Sequence, residues 1–183
     1  MEIYFVRHAE KQKNIKNPSL TERGISQAKF LAKNFKKKNF THFYCSDTNR
    51  TKETSKFISE IIGIEPKIEN CLNEFDGRIL KIKKEGWEKE VSRRYEELLN
   101  FLNKITKEKT KEKKILILAH GVTNRLILAA LLELNFKNII RMAQLNTAVN
   151  IAYWVERFNN WRLKSWNNVS HLPEKLSINL DGY

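Results

Sequence analysis

The sequence predicts a single α/β domain built on a buried sheet. Two apolar runs, residues 3–6 and 115–119, are typical of strands buried on both faces. Other segments carry apolar residues every three or four positions, which is typical of helices packed on a sheet. The chain has 183 residues, no internal repeat and no linker rich in Pro or Ser, so we expect residues 1–183 to share one hydrophobic core.

In the first half of the chain, predicted strands alternate with helices. A polar loop at residues 11–19 follows the first strand, and a helix with Thr21 as a plausible N-cap then extends to Phe35. A second strand is predicted at residues 40–45. A polar turn then enters a helix that ends near Ile62, and residues 65–69 form a short third strand.

In the second half, apolar residues from Trp87 to Ile105 recur at helical spacing and predict a long amphipathic helix. The strand at residues 115–119 is followed by a mostly apolar helix at residues 122–134. Residues 148–154 and 161–166 predict two further strands joined by a polar turn. No prediction is made for the tail beyond Leu172.

The formal net charge of +13 raises the question of an acidic partner. Much of the charge lies in Lys-rich runs at residues 33–38 and 104–114, which we interpret as solvated helix ends and loops. No nucleic-acid motif accompanies them, so we expect no nucleic-acid partner. No signal-peptide pattern and no membrane-length apolar run are present, and we expect a soluble, cytoplasmic chain without a membrane partner.

Chemistry-bearing residues follow the predicted buried strands. Arg7 and His8 come directly after the first strand, and His120 follows the strand at residues 115–119. In open α/β sheets, ligands bind outside the carboxyl ends of the strands. Arg50 lies near another strand end and a helix start, where anions bind well. Because Arg matches phosphate geometry and neutral imidazole is a good nucleophile, we predict phosphoryl transfer through His8.

Other chemistries lack their required spacing. The chain has no Gly-rich loop ending in Gly-Lys-Ser/Thr, no His-Glu-x-x-His helix, and no paired cysteines of a zinc deaminase. Only four residues separate Cys45 from Arg50, one fewer than in a cysteine-dependent phosphatase loop. We expect Cys45 and Cys71 to be reduced, and His42 and His171 to be structural.

A proton donor is needed for the leaving group, and two carboxylates are available in the loop after the third strand. Glu74 and Asp76 could each donate and accept protons, and the residues alone leave both open.

Several separated motifs, in order, resemble the histidine phosphatase superfamily in its phosphoglycerate mutase-like branch. Arg7-His8-Ala9-Glu10 with Asn14 is similar to the opening motif of that family, and His120-Gly121 is similar to its second histidine motif. The resemblance covers nearly the whole chain. The other matching segments are residues 20–28, 46–54, 72–74, 145–147, 161–163 and 171–172.

The resemblance implies a three-layer α/β/α sandwich with a mostly parallel central sheet. It also implies that His8 is the nucleophile and that Glu74 is the general acid and base, favoured over Asp76 by the Leu-x-Glu spacing. Glu10 becomes a supporting residue. No metal or organic cofactor is implied. The residues that would bind the substrate phosphate are Arg7, Asn14, Arg50 and His120.

Departures from the family pattern bear on the reaction. Ala9 replaces the usual Gly, and the Gly-x-Trp-Glu-Gly-like continuation after Glu74 is poorly kept. We therefore expect a phosphatase acting on a small phosphorylated metabolite. The alternatives are a phosphoprotein phosphatase, a phosphoglycerate mutase-type phosphotransferase and a non-catalytic basic binding module. The sequence makes no prediction of oligomeric state.

Overall fold

The computed structural model of the chain describes residues 1–75, 87–139 and 141–177. These ranges contain β1 (Glu2–Arg7), α1 (Glu22–Phe35), β2 (His42–Cys45), α2 (Asn49–Ile62), β3 (Lys67–Ile68), α3 (Trp87–Thr106), β4 (Lys114–Ala119), α4 (Gly121–Leu132), α5 (Phe136–Ile139), β5 (Val149–Val155), β6 (Asn160–Asn168) and α6 (Glu174–Ser177).

The strands form one sheet in the order β3-β2-β4-β1-β5-β6. β4 lies between β1 and β2 and is parallel to both, and β3 is parallel to β2. β5 is antiparallel to β1, and β6 is antiparallel to β5. The mostly parallel sheet is thus confirmed, and the carboxyl ends of β1, β2 and β4 meet at one edge.

Side chains of β1 alternate between two apolar layers, as expected for a strand buried on both faces. Ile3 and Phe5 pack in a core cluster with residues of α3 and α4. Tyr4 and Val6 pack in a second cluster with residues of α1 and α2. Helices therefore cover both faces of the sheet, and the three-layer α/β/α arrangement is confirmed.

The predicted strand at residues 65–69 shrinks to Lys67–Ile68, whose two residues are exposed at the sheet edge. An edge position offers one partner strand, β2, which pairs with it over two residues. The short helices α5 and α6 were not predicted, since four residues are too few to show helical spacing.

Thr21, the predicted N-cap, and Gly24 fix the start of α1. The Thr21 hydroxyl accepts a hydrogen bond from the Gly24 amide at 2.9 Å, which confirms Thr21 as the N-cap. Gly24 packs on the backbone of Glu10, and a Cβ atom there would lie 2.0 Å from the Glu10 carbonyl oxygen. Only glycine permits this close approach, which holds α1 beside the loop that follows β1.

Both Lys-rich runs lie at the amino ends of the parallel strands. The run at residues 33–38 covers the end of α1 and the residues that lead toward β2. The carbonyl oxygens of Lys113 and Lys114 accept hydrogen bonds from the amides of Glu2 and Thr41, at the starts of β1 and β2. In the described ranges, no helix is both long and apolar enough to cross a bilayer.

Candidate active site

Three neighbouring strands bring the predicted residues together at the carboxyl edge of the sheet. Arg7 ends β1 and pairs in register with Ala119, which ends β4. His8 and His120 follow directly, and their ring centroids lie 5.1 Å apart. Ser46 follows β2, on the other side of β4. Residues far apart in sequence therefore share one site.

The His8 ring is buried, with 2% of its surface exposed, and its tautomer follows from its neighbours. Nδ1 lies 2.6 Å from the Ala9 carbonyl oxygen, which can only accept, so Nδ1 carries the proton. Arg50 donates its Nε–H to the other ring nitrogen, Nε2, over 3.2 Å. The lone pair of Nε2 therefore faces the guanidinium and is the nucleophilic position.

Burial, His120, Arg7 and Arg50 together hold the pKa of His8 well below its usual range. Each of these disfavours the imidazolium, because burial removes hydration and the nearby charges repel a further positive charge. The neutral, nucleophilic ring is the resting form.

Arg50 lies in the first turn of α2 and contacts both imidazoles. Its Nη2 lies 3.2 Å from His120 Nδ1, while its Nε bonds to His8. Burial lowers the pKa of Arg50, yet an arginine so placed remains a cation at neutral pH. A guanidinium between two neutral rings marks a place for an anion.

His120 is fully buried at the N-cap of α4, and its pKa is also held well below the usual range by burial, Arg50, Arg7 and Arg94. Because Arg50 donates to Nδ1, the ring proton lies on Nε2, which is 2.7 Å from the Ser46 hydroxyl. Arg50 thus fixes the tautomer of His120, and the Ser46 hydroxyl accepts the proton of its Nε2. The contact of Ser46 was not predicted, although its place directly after a predicted strand was a usable signal.

Glu74 reaches the site from the segment that follows the third strand. Its Oε1 accepts a hydrogen bond from the Val122 amide at 3.1 Å, and its Oε2 lies 3.6 Å from His120 Nδ1. Burial raises the pKa of the carboxyl group. About a third of the side chain, 34%, stays accessible, so a leaving group can reach it.

Arg7 lies along the start of α4, where its Nε would be 3.7 Å from a Cβ at Gly121. Its Nη1 donates to the Gln144 carbonyl. The side chain of Gln144 donates to Asn150, which in turn donates to the Phe5 carbonyl at 2.7 Å. This buried amide network fixes the Gln144 backbone to which Arg7 donates. The network was not predicted from the sequence.

A second set of contacts holds the backbone of His8. Asn146 Nδ2 and the Thr147 amide donate to the His8 carbonyl at 3.2 and 3.3 Å. Thr147 has a φ of 57°, and its hydroxyl lies 3.2 Å from His171 Nε2. His171 therefore supports a loop behind the site.

The remaining predicted residues lie differently. Asn14 is exposed on the loop between β1 and α1, with a φ of 58°, and its role in phosphate binding stays a prediction. The Glu10 carboxylate forms an ion pair with Arg23 and accepts from the Thr21 hydroxyl at 2.8 Å. Asp76 lies outside the described residues. Burial raises the pKa of Cys45 to about 11, which opposes a thiolate nucleophile.

The donor set also bears on metal binding. Ligand atoms of His8, Glu74 and His120 all lie within 4.8 Å of one another. Two imidazoles and a carboxylate are ligands that zinc accepts. The Arg50 guanidinium, however, bonds to both rings, so a cation would meet a fixed positive charge. The arrangement suits a phosphoryl group better.

The fold and these side chains define a class of protein: an α/β domain with an anion site around a buried neutral imidazole. The pattern of the histidine phosphatase superfamily (branch 1) matches residues 3–103 and 83–169. The chain therefore belongs to the histidine phosphatase superfamily.

Curated relatives include a probable phosphoglycerate mutase GpmB from Photorhabdus laumondii, 30% identical over 106 residues, which are 50% of this chain and 49% of that protein. The chain thus spans about half the length of the curated relatives it matches.

Solved structures share the fold over nearly the whole chain. A phosphoserine phosphatase from Entamoeba histolytica, in complex with 3-phosphoglyceric acid, has a TM-score of 0.77 at 19% identity and covers 94% of this chain and 99% of its own. A mycobacterial glucosyl-3-phosphoglycerate phosphatase with inorganic phosphate has a TM-score of 0.74 at 15% identity, with 94% and 99% covered.

Proposed function

We propose that the chain is a phosphomonoesterase that hydrolyses a small phosphorylated metabolite through a phosphohistidine on His8. The observation that carries the proposal is the state of the His8 ring, which is neutral and buried with its Nε2 lone pair turned to Arg50. A phosphoryl group that enters beside Arg50 would take over its N–H donors and meet that lone pair.

In the first step, His8 Nε2 attacks phosphorus and the bond from phosphorus to the ester oxygen breaks. Arg7, Arg50 and His120 surround the space where charge spreads over the phosphoryl oxygens. Glu74, whose pKa is raised by burial, gives its proton to the departing oxygen. The products are an alcohol and a phosphohistidine.

In the second step, a water molecule attacks phosphorus and the bond from nitrogen to phosphorus breaks. The Glu74 carboxylate takes the proton from water, so the acid is restored and His8 returns to its neutral form. Phosphate leaves, and atoms and charges balance over the two steps without a metal or a cofactor.

The substrate class is supported by two fold relatives. Their names record phosphoserine phosphatase with 3-phosphoglyceric acid and glucosyl-3-phosphoglycerate phosphatase with phosphate. We infer a small phosphorylated metabolite as substrate, because a buried site with three converging cationic or imidazole groups suits a single phosphoryl group.

A mutase-type phosphotransferase is the second candidate, favoured by the curated relatives that are probable phosphoglycerate mutases. The two functions differ in the acceptor of the phosphoryl group. Phosphohistidine loaded with isotopically labelled phosphate and supplied with phosphoglycerate would release free phosphate in a phosphatase, but would form labelled bisphosphoglycerate in a mutase.

The direct test is turnover of an aryl phosphate in the presence of a chelator. We expect hydrolysis that is lost in His8→Ala, and an acid-labile, base-stable phosphate on His8 that accumulates in Glu74→Gln and is located by mass spectrometry. Equal turnover in the wild-type chain and in His8→Ala would overturn the proposal.

A further inference from the structure

We propose that Arg94 is a positioning residue that sets the orientation of Glu74 and thereby governs proton transfer to the leaving group. This inference rests on the proposed function, in which Glu74 is the general acid. Arg94 belongs to α3, outside every motif that the sequence analysis assigned to the site.

Arg94 holds both peptide groups that flank the Glu74 Cα atom. Its Nη2 donates to the Asn73 carbonyl at 3.0 Å and to the Glu74 carbonyl at 3.3 Å. Its guanidinium carbon lies 4.3 Å from the centroid of the Phe75 ring. Fixing the two carbonyls fixes the backbone dihedrals at Glu74, and these decide where its side chain points.

The carboxylate itself is held from a different element. Val122 donates to Glu74 Oε1 at 3.1 Å, and the Thr123 hydroxyl donates to the Asn73 carbonyl at 3.1 Å. The start of α4 thus holds the carboxylate and the Asn73 carbonyl, while Arg94 of α3 holds the carbonyls of both Asn73 and Glu74. Since residues 73–75 form no helix or strand, such outside donors replace the missing backbone partners.

The loss of activity expected when Arg94 is replaced depends on the leaving group of the substrate. An alkoxide must be protonated as it departs, whereas a nitrophenolate is stable enough to leave unaided. A displaced Glu74 therefore slows an alkyl ester far more than an aryl ester. General acid catalysis contributes about 100-fold or more, so partial displacement in Arg94→Met should cost about 30-fold for an alkyl phosphate and less than about threefold for 4-nitrophenyl phosphate.

The helix supplies a matched control. Arg93 is exposed and forms ion pairs with Glu90 and Glu97, away from the site. Arg93→Met removes the same charge from the same helix and should leave kcat/KM unchanged for both substrates. Arg94→Lys keeps the charge but lacks the planar guanidinium that contacts the Phe75 ring. Its kcat/KM should therefore lie between those of Arg94→Met and the wild-type chain.

The measurement is kcat/KM, which reports the steps from free enzyme and substrate up to and including formation of the phosphohistidine. It is compared for 4-nitrophenyl phosphate and for the alkyl phosphate that the wild-type chain hydrolyses fastest. Glu74→Gln gives the reference loss, and the double variant of Arg94→Met with Glu74→Gln should be no slower than Glu74→Gln alone. Circular dichroism checks folding, and Arg94→Lys carries the test if Arg94→Met does not fold.

Equal losses on both substrates, or a double variant much slower than Glu74→Gln, would overturn the positioning role while the proposed function stands. If Glu74→Gln lowers kcat/KM equally for both substrates, Glu74 is not the general acid, and the proposed role of Arg94 is then also wrong.

Discussion

Arg50 explains why two histidines can share one buried site. It donates Nε–H to His8 and Nη2–H to His120, so both rings accept a hydrogen bond from the same cation. A protonated ring could not accept such a bond, and burial disfavours its charge. The site therefore rests as one positive cluster around two neutral rings, with the partly accessible Glu74 as the nearby carboxylate.

The proposed mechanism predicts a bell-shaped pH dependence of kcat/KM, in which His8 sets the acidic limb and Glu74 sets the alkaline limb. His8 must be neutral, and its lowered pKa means that activity rises with pH at values below 6.5. Glu74 must be protonated, and its raised pKa means that activity falls with pH only above 4.5. A profile measured from about pH 4 to 8 should show both limbs.

Glu74→Gln provides the control for that profile. Glutamine does not titrate, so the alkaline limb should vanish and the acidic limb should remain. An alkaline limb that persists in Glu74→Gln would assign it to another group.

At the scale of elements, the site depends on how α1 seats against the loop after β1. Gly24 brings the helix onto the Glu10 backbone, and the Gln27 side chain accepts a hydrogen bond from the Glu10 amide at 2.9 Å. Arg23 and Gln27 also donate to the Leu176 carbonyl at 3.1 and 3.0 Å. The segment that follows His8 is thus held by α1, and α1 is in turn bonded to α6.

Gly24→Ala should therefore be costly. The added Cβ would lie 2.0 Å from a backbone oxygen, so the helix or the loop must move. We expect a loss of about 1–3 kcal/mol in the free energy of unfolding, measured by denaturant titration, together with reduced kcat.

Gly63→Ala is the matched control for Gly24→Ala. Gly63 ends α2 at a φ of 70° with no atom within 4 Å of its added Cβ, so that change costs about 1 kcal/mol of backbone strain and leaves kcat unaltered. A Gly24→Ala chain as stable and active as the wild type would contradict the packing described for α1.

At the scale of the whole molecule, the two Lys-rich runs and the site lie at opposite ends of the parallel strands. The Lys-rich runs lie at the amino ends of the parallel strands, whereas the site lies at their carboxyl ends. A six-residue strand spans about 20 Å. Screening in physiological salt acts over about 8 Å, so these lysines contribute little to the field at His8.

Replacing Lys36, Lys37, Lys107 and Lys111 by Gln should accordingly leave kcat/KM within about twofold at physiological salt. The comparison is Arg50→Gln, which removes one charge inside the site and should abolish most activity. A severalfold fall in the lysine variant would show that distant charge steers the substrate.

The sequence by itself determined the elements and the chemical identity of the candidate site. Continuous apolar runs indicate strands buried on both faces, and apolar residues at helical spacing indicate helices, so β1, α1, β4 and α3 were predicted close to their observed bounds. Arg7, His8, Arg50 and His120 were predicted to share a site because each follows a strand or starts a helix at the same sheet edge.

Only the tertiary structure decided which side chains hold these groups in place. Ser46, Arg94, Gln144 and Asn150 act through hydrogen bonds across the chain, up to 145 residues apart in sequence for the bond from Asn150 to Phe5. Local patterns record which residues are apolar and where elements end. They do not record distant polar partners, because such a partner is defined by packing that the whole fold creates.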